Sequence, residues 1–498
     1  MLVDEQKQED VFLPGNKSIS RFLTDVGAFG IANLVALLSG IVQTFIIPKY
    51  LSVEGYGYWR LFMLYAGYMG FLHFGFIDGV FISWLGRNPS EFKGELKLAL
   101  KYLIVQQVIV VGIFLVGLIF AQSFFHNSNL FFILFVVFIM AFITNVFALF
   151  SFALQANKQF KFLSLLTIFQ QFGLLGGILF LFGLGMLQYQ LLVIWQVINT
   201  GLVLAAAVCF LRSWFREPVP SQLPGLWNYG WQNINIGWYV LLGNFITVLF
   251  FSIDRLFTSS LFSIQEFAYY SLAASFLGVI YLFINTLGRV VLPYLAGISR
   301  EGAQKIYPVG CNLIVFIWGL GLGLYFPLSA FIAWYLPHYL SSLPVLKVLI
   351  CSAGFGGVIN IMHSNYYKTN KLVRPYFAAA AIALVLFIGL AAGGLYFWHT
   401  PLTIAVATVI SFGSWYLLNE RQLIRFSGQT KQNMIWELLV IVGLIGAFLS
   451  SSLLPIIWQQ MLLYYGLFLA FYFLFFRVEL RPVFALLGRV VRMSEMSN

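Results

Sequence analysis

The stretch LSVEGYGYW, residues 51–59, lies between two long apolar runs, and FSIQEFAYY, residues 262–270, fills the same kind of gap later in the chain. Shifted by 211 residues, they pair as Leu51/Phe262, Ser52/Ser263, Val53/Ile264, Glu54/Gln265, Tyr56/Phe267, Gly57/Ala268, Tyr58/Tyr269 and Trp59/Tyr270. Only Gly55/Glu266 breaks the chemical match. Aromatic turns recur at membrane interfaces in any case, because Trp and Tyr are at home there. That does not account for both stretches joining the first helix of a set to the second. The pair reads as one structural unit made twice.

Composition fixes the surroundings of that unit. Of 498 residues, 61% are hydrophobic and 9% charged, and the mean hydropathy is +0.89. A soluble fold cannot hide so much apolar surface behind so little polar cover. The chain reads as an all-α polytopic membrane protein. Fourteen apolar segments are legible, at about 26–47, 61–85, 99–123, 130–154, 162–182, 188–211, 231–252, 267–292, 309–331, 343–362, 376–397, 400–418, 434–454 and 457–476. Unpaired backbone groups are too costly in hydrocarbon, so each span should be a helix. Their length, about 20 residues, suits helices and not the ~10-residue strands of a barrel.

Lys and Arg collect on the cytoplasmic side. With the N-terminus inside, 24 of the 28 fall in inner segments, and only Lys49, Arg60, Arg255 and Lys347 fall outside. A single miscounted helix would scramble this alternation, so both termini are expected in the cytoplasm. The net charge of +11 then follows from topogenesis and contact with anionic lipid, and calls for no nucleic acid. Residues 1–25 lack the apolar core and cleavage site of a signal peptide and read as a retained tail. Cys209, Cys311 and Cys351 lie in or beside apolar runs and read as small packing residues. No CxxC or HExxH pattern implies zinc.

Six helices separate the repeated connections, an even number, so both halves share one orientation. Such a parallel repeat has its axis along the membrane normal. The expected organisation is a six-helix bundle at 26–211, a cytoplasmic linker at 212–230 and a second bundle at 231–418. Two additional helices at 434–476 and a cytoplasmic tail at 477–498 follow. Two similar bundles can rock about a shared axis and open a central cavity to either side.

The connection LSVEGYGYW, followed by a helix ending HFGFIDGV, resembles the start of bacterial polysaccharide-export flippases. The run FFSIDRLFTSSLFSIQEFAYYSLAASF resembles the start of their second half. These belong to the multidrug/oligosaccharidyl-lipid/polysaccharide exporter superfamily, and the likeness is strongest to O-antigen flippases. It is concentrated in residues 20–90 and 245–295. The resemblance implies translocation of an undecaprenyl-pyrophosphate-linked oligosaccharide across the bacterial inner membrane by alternating access. The polysaccharide polymerase machinery is an implied partner beside the lipid bilayer. The extra C-terminal helix pair is also found in the related lipid II flippases.

Ionisable residues at depth cost about 2.5–3.5 kcal/mol or more each and invite functional readings. Asp78 and Arg289 are repeat mates under the 211-residue shift. They are expected to pair when the cytoplasmic side is closed, with Arg289 meeting the diphosphate when it opens. Simple snorkelling of Arg289 to the inner interface is the other reading. Arg21 and Asp25 would complete that gate or cap the first span. Lys49, Arg60, Arg255 and Lys347 would form an outer cationic mouth or act as interface anchors. Asp254 beside Arg255 resembles the family's acidic-basic pair, or is a local bridge fixing the turn. His73, near Asp78, is a coupling candidate because imidazole titrates near neutral pH, or else a helix-bridging residue. In WNYGWQNINIGWY, Trp231, Asn233 and Asn235 offer aromatic faces and amides suited to sugar rings; interfacial and helix-bridging roles are the alternative. No cofactor is expected, and coupling to H+ or Na+ is left open by the sequence.

A multidrug exporter of the same superfamily is the main rival reading, though it would be expected to hold a cation with acids. A membrane glycosyltransferase or polymerase would need an outer domain that the short outer loops do not supply.

Overall fold

Fourteen hydrocarbon-length segments require helices for the reason given above, and among the described residues every regular element is helical. The computed structural model describes residues 16–88, 92–124, 128–220, 223–427 and 431–476. The side chains of Arg21, Asp25 and Arg289 lie outside that description, although their backbones are helical.

The chain divides into two compact units. One holds the chain up to Leu51 together with Tyr58–Phe245. In order it contains α1 (Asn16–Tyr50), α2 (Val53–Met69), a 3-10 turn (Gly70–His73), α3 (Phe76–Trp84), α4 (Glu95–Phe120), α5 (Ser128–Ala156), α6 (Phe160–Gly183), α7 (Tyr189–Leu211) and most of α8 (Leu226–Phe250). The other unit holds Ser52–Gly57 and the chain from Ile246 onward. Its helices are α9 (Ile253–Leu261), α10 (Ile264–Gly297), α11 (Arg300–Leu322), α12 (Tyr325–Tyr335), α13 (Leu343–Leu349) and α14 (Ser352–Val358). A π-turn (Ile359–His363) leads to α15 (Ser364–Thr369), α16 (Val373–Phe397), α17 (Pro401–Ser427), α18 (Lys431–Ser451) and α19 (Ile457–Phe471).

Among the described residues, twelve helices are long and apolar enough to cross a membrane. Two bent pairs raise the number to 14: α2 with α3, bent by 59°, and the Pro337–Leu349 and Ser352–Thr369 segments, bent by 46°. This is a multi-pass membrane protein.

The repeated connection is a repeated helix cap. Ser52 Oγ accepts the Gly55 N–H at 3.0 Å ahead of α2. Ser263 Oγ accepts the Glu266 N–H at 3.3 Å ahead of α10, and the Glu266 carboxylate accepts the Ser263 N–H at 3.1 Å. A serine cap satisfies a backbone donor that the first helical turn leaves bare, and the reciprocal glutamate satisfies another. The mismatched pair Gly55/Glu266 is therefore the difference between a simple cap and a capping box. Ser52–Gly57 also pack within the second unit. Tyr56 Oη lies 3.3 Å from Ser275 Oγ, and a side chain at Gly57 would strike the Ile264 carbonyl.

Burial separates core from lipid-facing helices. Over their most apolar windows α10 is 56% buried and α19 only 11%, so α10 is a centre of its unit and α19 a peripheral helix. In the first unit, Phe76, Ile77, Val80 and Trp84 of α3 lock into Leu96 and Leu103 of α4 and Leu149 of α5. At about 25 cal/mol per Å² of apolar surface this packing fixes α3 firmly, and α3 carries the first candidate site.

Candidate functional site

In the first unit the second span breaks just after His73. Phe74 and Gly75 take left-handed backbone, at φ 51° and 85°. Gly75 tolerates this because it has no Cβ. A broken helix in hydrocarbon leaves carbonyls without partners, and they must be met by neighbours. Here side-chain amides meet them. Asn145 Nδ2 donates to the Met69 carbonyl at 3.1 Å, Gln107 Nε2 to Leu72 at 3.0 Å and Gln106 Nε2 to His73 at 3.2 Å. Asn145 also donates to Gln107 Oε1 at 2.9 Å, tying the covering amides together.

The His73 ring sits inside this cage. Its Nδ1 accepts the Gly75 N–H at 3.1 Å, so the neutral ring carries its proton on Nε2. That nitrogen faces Asp78 Oδ2 at 3.8 Å. His73 and Asp78 are 8% and 9% exposed. The sequence-predicted neighbours are thus brought together by the break, which swings the two across five residues. The helix behind them is α8: a side chain at Gly79 would strike the Asn233 carbonyl, and one at Gly237 the Gly75 carbonyl.

The same close approach sorts the sugar-contact candidates. Asn233 is buried, accepting from Ser83 Oγ at 3.3 Å and donating to the Tyr229 carbonyl at 2.9 Å. Trp231 and Asn235 are exposed and share no side with it. The candidate outer cations lie on four different helices. Lys49 is exposed at the end of α1, Arg60 is half-buried in α2, and Lys347 is half-buried in α13. Arg255 begins α9 beside Asp254. Its Nη2 donates to the Phe251 carbonyl at 2.6 Å, covering the gap between α8 and α9, and its Nε lies 3.7 Å from Asp254 Oδ1. Asp254 is held further by Tyr270 Oη at 2.9 Å. This acidic-basic pair is a local brace.

A second polar site lies in the other unit and was not among the sequence-predicted residues. Glu420 of α17, His363 of the π-turn, and Tyr307 and Cys311 of α11 are all 0% exposed; Glu437 of α18 is 6% exposed. Glu420 Oε1 accepts from Tyr307 Oη at 2.6 Å and contacts His363 Nε2 at 2.8 Å. π-turns widen a helix and frequently mark functional places; this one delivers the imidazole.

No family model matches this sequence, and no curated protein matches it. Solved structures do. The lipid II flippase MurJ, in an inward closed conformation, superposes with a TM-score of 0.64 at 16% identity, over 91% of this chain and 99% of that one. The chain has the MurJ fold. The Vibrio cholerae MATE transporter VcmN is similar more loosely, with a TM-score of 0.51 at 12% identity, over 82% of this chain and 98% of that one. At these identities only the fold carries across, and it is a fold used by a membrane flippase and a transporter.

On the MurJ-like frame the overlooked residues have a common reason. The apolar segments were expected to end at 362 and 418 and to begin at 434, so His363 and Glu420 fell just beyond their ends and Glu437 near the start of the next. In the structure α17 runs on to Ser427, which places Glu420 well inside the helix. The available signal was His363 and Glu437 amid apolar neighbours in INIMHSNYY and MIWELLV.

Proposed function

We propose that the chain is a flippase moving an undecaprenyl-pyrophosphate-linked oligosaccharide, an O-antigen or other surface polysaccharide unit, across the bacterial inner membrane by alternating access. The observation that carries this reading is the superposition on the lipid II flippase MurJ over 91% of the chain. That coverage goes with up to 14 spans, including the C-terminal pair α18 and α19. A lipid-linked pyrophosphate needs basic groups to meet it, and Arg289, whose backbone lies in α10, is the candidate in this scheme. The guanidinium fork suits phosphate oxygens, which it can grip two at a time. Both termini lie in the cytoplasm on this reading, since 24 of 28 basic residues then fall inside.

The test is deletion of the gene followed by analysis of lipid-linked glycans. The expected result is accumulation of one species on the cytoplasmic face, relieved by the wild-type chain and not by Arg289→Ala at equal protein level. Arg289→Lys should restore transport only in part, because an ammonium cannot grip two oxygens in one plane. Drug sensitivity with an unchanged glycan pool would instead favour a multidrug exporter.

A further inference from the structure

Within the second unit, α11, α17 and α18 bring Cys311 Sγ, a Glu420 oxygen and a Glu437 oxygen within 4.8 Å of one another, all buried. Two carboxylates and a thiol at that spacing cannot all be charged in an apolar interior without a cation to offset them. Glu420 shows how the cluster is set. Its Oε1 is fully engaged by Tyr307 and His363, while its Oε2, with the residue 0% exposed, has no hydrogen-bond partner. A buried acceptor left bare beside a thiol and a second carboxylate points at a partner that is not a protein donor.

We propose that Cys311, Glu420 and Glu437 bind one divalent transition-metal cation of the zinc class, tying α18 to α11 and α17. Sulfur with carboxylate oxygen is a donor set for borderline-soft metals, and its thiolate argues against Mg2+ or Ca2+. Metal–ligand bonds of 2.0–2.3 Å place tetrahedral donors roughly 3.3–3.8 Å apart, so donors within 4.8 Å of one another need to close by about 1.5 Å at most. Binding displaces the Cys311 proton, as thiolate is the ligating form. His363 acts from outside: its Nε2–H orients Glu420 through Oε1, the arrangement by which an outer residue fixes a metal ligand. The metal would explain why buried donors from the last helix pair and the second bundle converge here.

The experiment uses the full chain in detergent, stripped of metal and titrated with Co2+, whose thiolate charge-transfer absorption reports sulfur ligation. One Co2+ per chain with that band is expected, displaced by Zn2+ and not by equal Mg2+ or Na+. Cys311→Ser, nearly the same size, should lose the band while eluting as monodisperse protein. Cys209→Ala should keep it. His363→Ala should keep the band but bind about 10–100-fold more weakly. No band in the wild-type chain, or a band unchanged in Cys311→Ser, overturns the proposal and leaves a cluster neutralised by protons. Should the serine variant fail to fold, the wild type alone decides: Zn2+ must raise Tm in a concentration-dependent way, and an absent shift refutes the site.

Discussion

The second helix of the first half and its mate in the second half begin alike and end differently. α2 and α10 both start one residue after a serine cap. The first then breaks by 59° after His73, while the second runs unbroken through Asn285 and Thr286 to Gly297. Thr286 is the mate of Gly75 under the 211-residue shift. A β-branched residue resists left-handed backbone, whereas glycine accepts it. Thr286 instead donates its hydroxyl to the Leu282 carbonyl at 2.8 Å, one helical turn back. The opposite holds one helix earlier. α1 continues to Tyr50, but α8 stops at Phe250 and α9 restarts at Ile253, with Arg255 covering the freed Phe251 carbonyl. The two halves share their joints and differ in where a helix is opened, and each of these two openings carries a buried aspartate, Asp78 in the first and Asp254 in the second.

Exchanging the two residues is the sharpest way to break this contrast. Gly75→Thr forces a β-branched side chain into φ 85° and against the Gly237 and Trp238 backbone. It should cost about 3 kcal/mol, since strain and overpacking add, seen as a loss of monodisperse protein or a large fall in Tm. Asn145→Ala leaves the Met69 carbonyl and Gln107 Oε1 uncovered. About 2 kcal/mol of destabilisation is expected in a Tm or denaturant measurement, and no Tm change would mean the break does not depend on its amide cover. Thr286→Gly, the reverse exchange, should cost only about 0.3 kcal/mol, because threonine is already a poor helix former and glycine only slightly worse. If it instead bent α10 as α2–α3 is bent, glycine alone would suffice to open a span. Just as small is the contrast between caps. Ser52→Ala and Ser263→Ala should each cost about 1 kcal/mol, with the second larger by a few tenths because the Glu266 contact goes too; equal losses would show that the capping box adds nothing.

How much of this was legible follows from which residues carry it. LSVEGYGYW and FSIQEFAYY announce the doubled joint, because a serine cap and its aromatic neighbours are local features. The fourteen apolar runs announce the spans, because hydrocarbon thickness is a length requirement. The His73–Asp78 neighbourhood was readable from spacing, yet the break that brings the pair to 3.8 Å was marked only by Gly75, one glycine among 44. Gln106, Gln107 and Asn145 gave no warning, since an amide in a span looks the same whether it covers a carbonyl or faces another helix. Cys311 was read as packing and lies against two carboxylates that come from helices more than a hundred residues away in sequence.

The sequence by itself determined what is set by local chemistry and by the membrane: helices, their approximate number, the repeated cap and the basic bias of alternate loops. Tertiary structure alone decided which polar residues meet. Asn233 turned inward to Ser83 while Trp231 stayed exposed, and Glu420, Glu437, Cys311 and His363 converged from four separate elements. The physical reason is that the free energy of a buried charge depends on its partners across the interior, and helix periodicity places a residue on its own helix without naming the helix it will face.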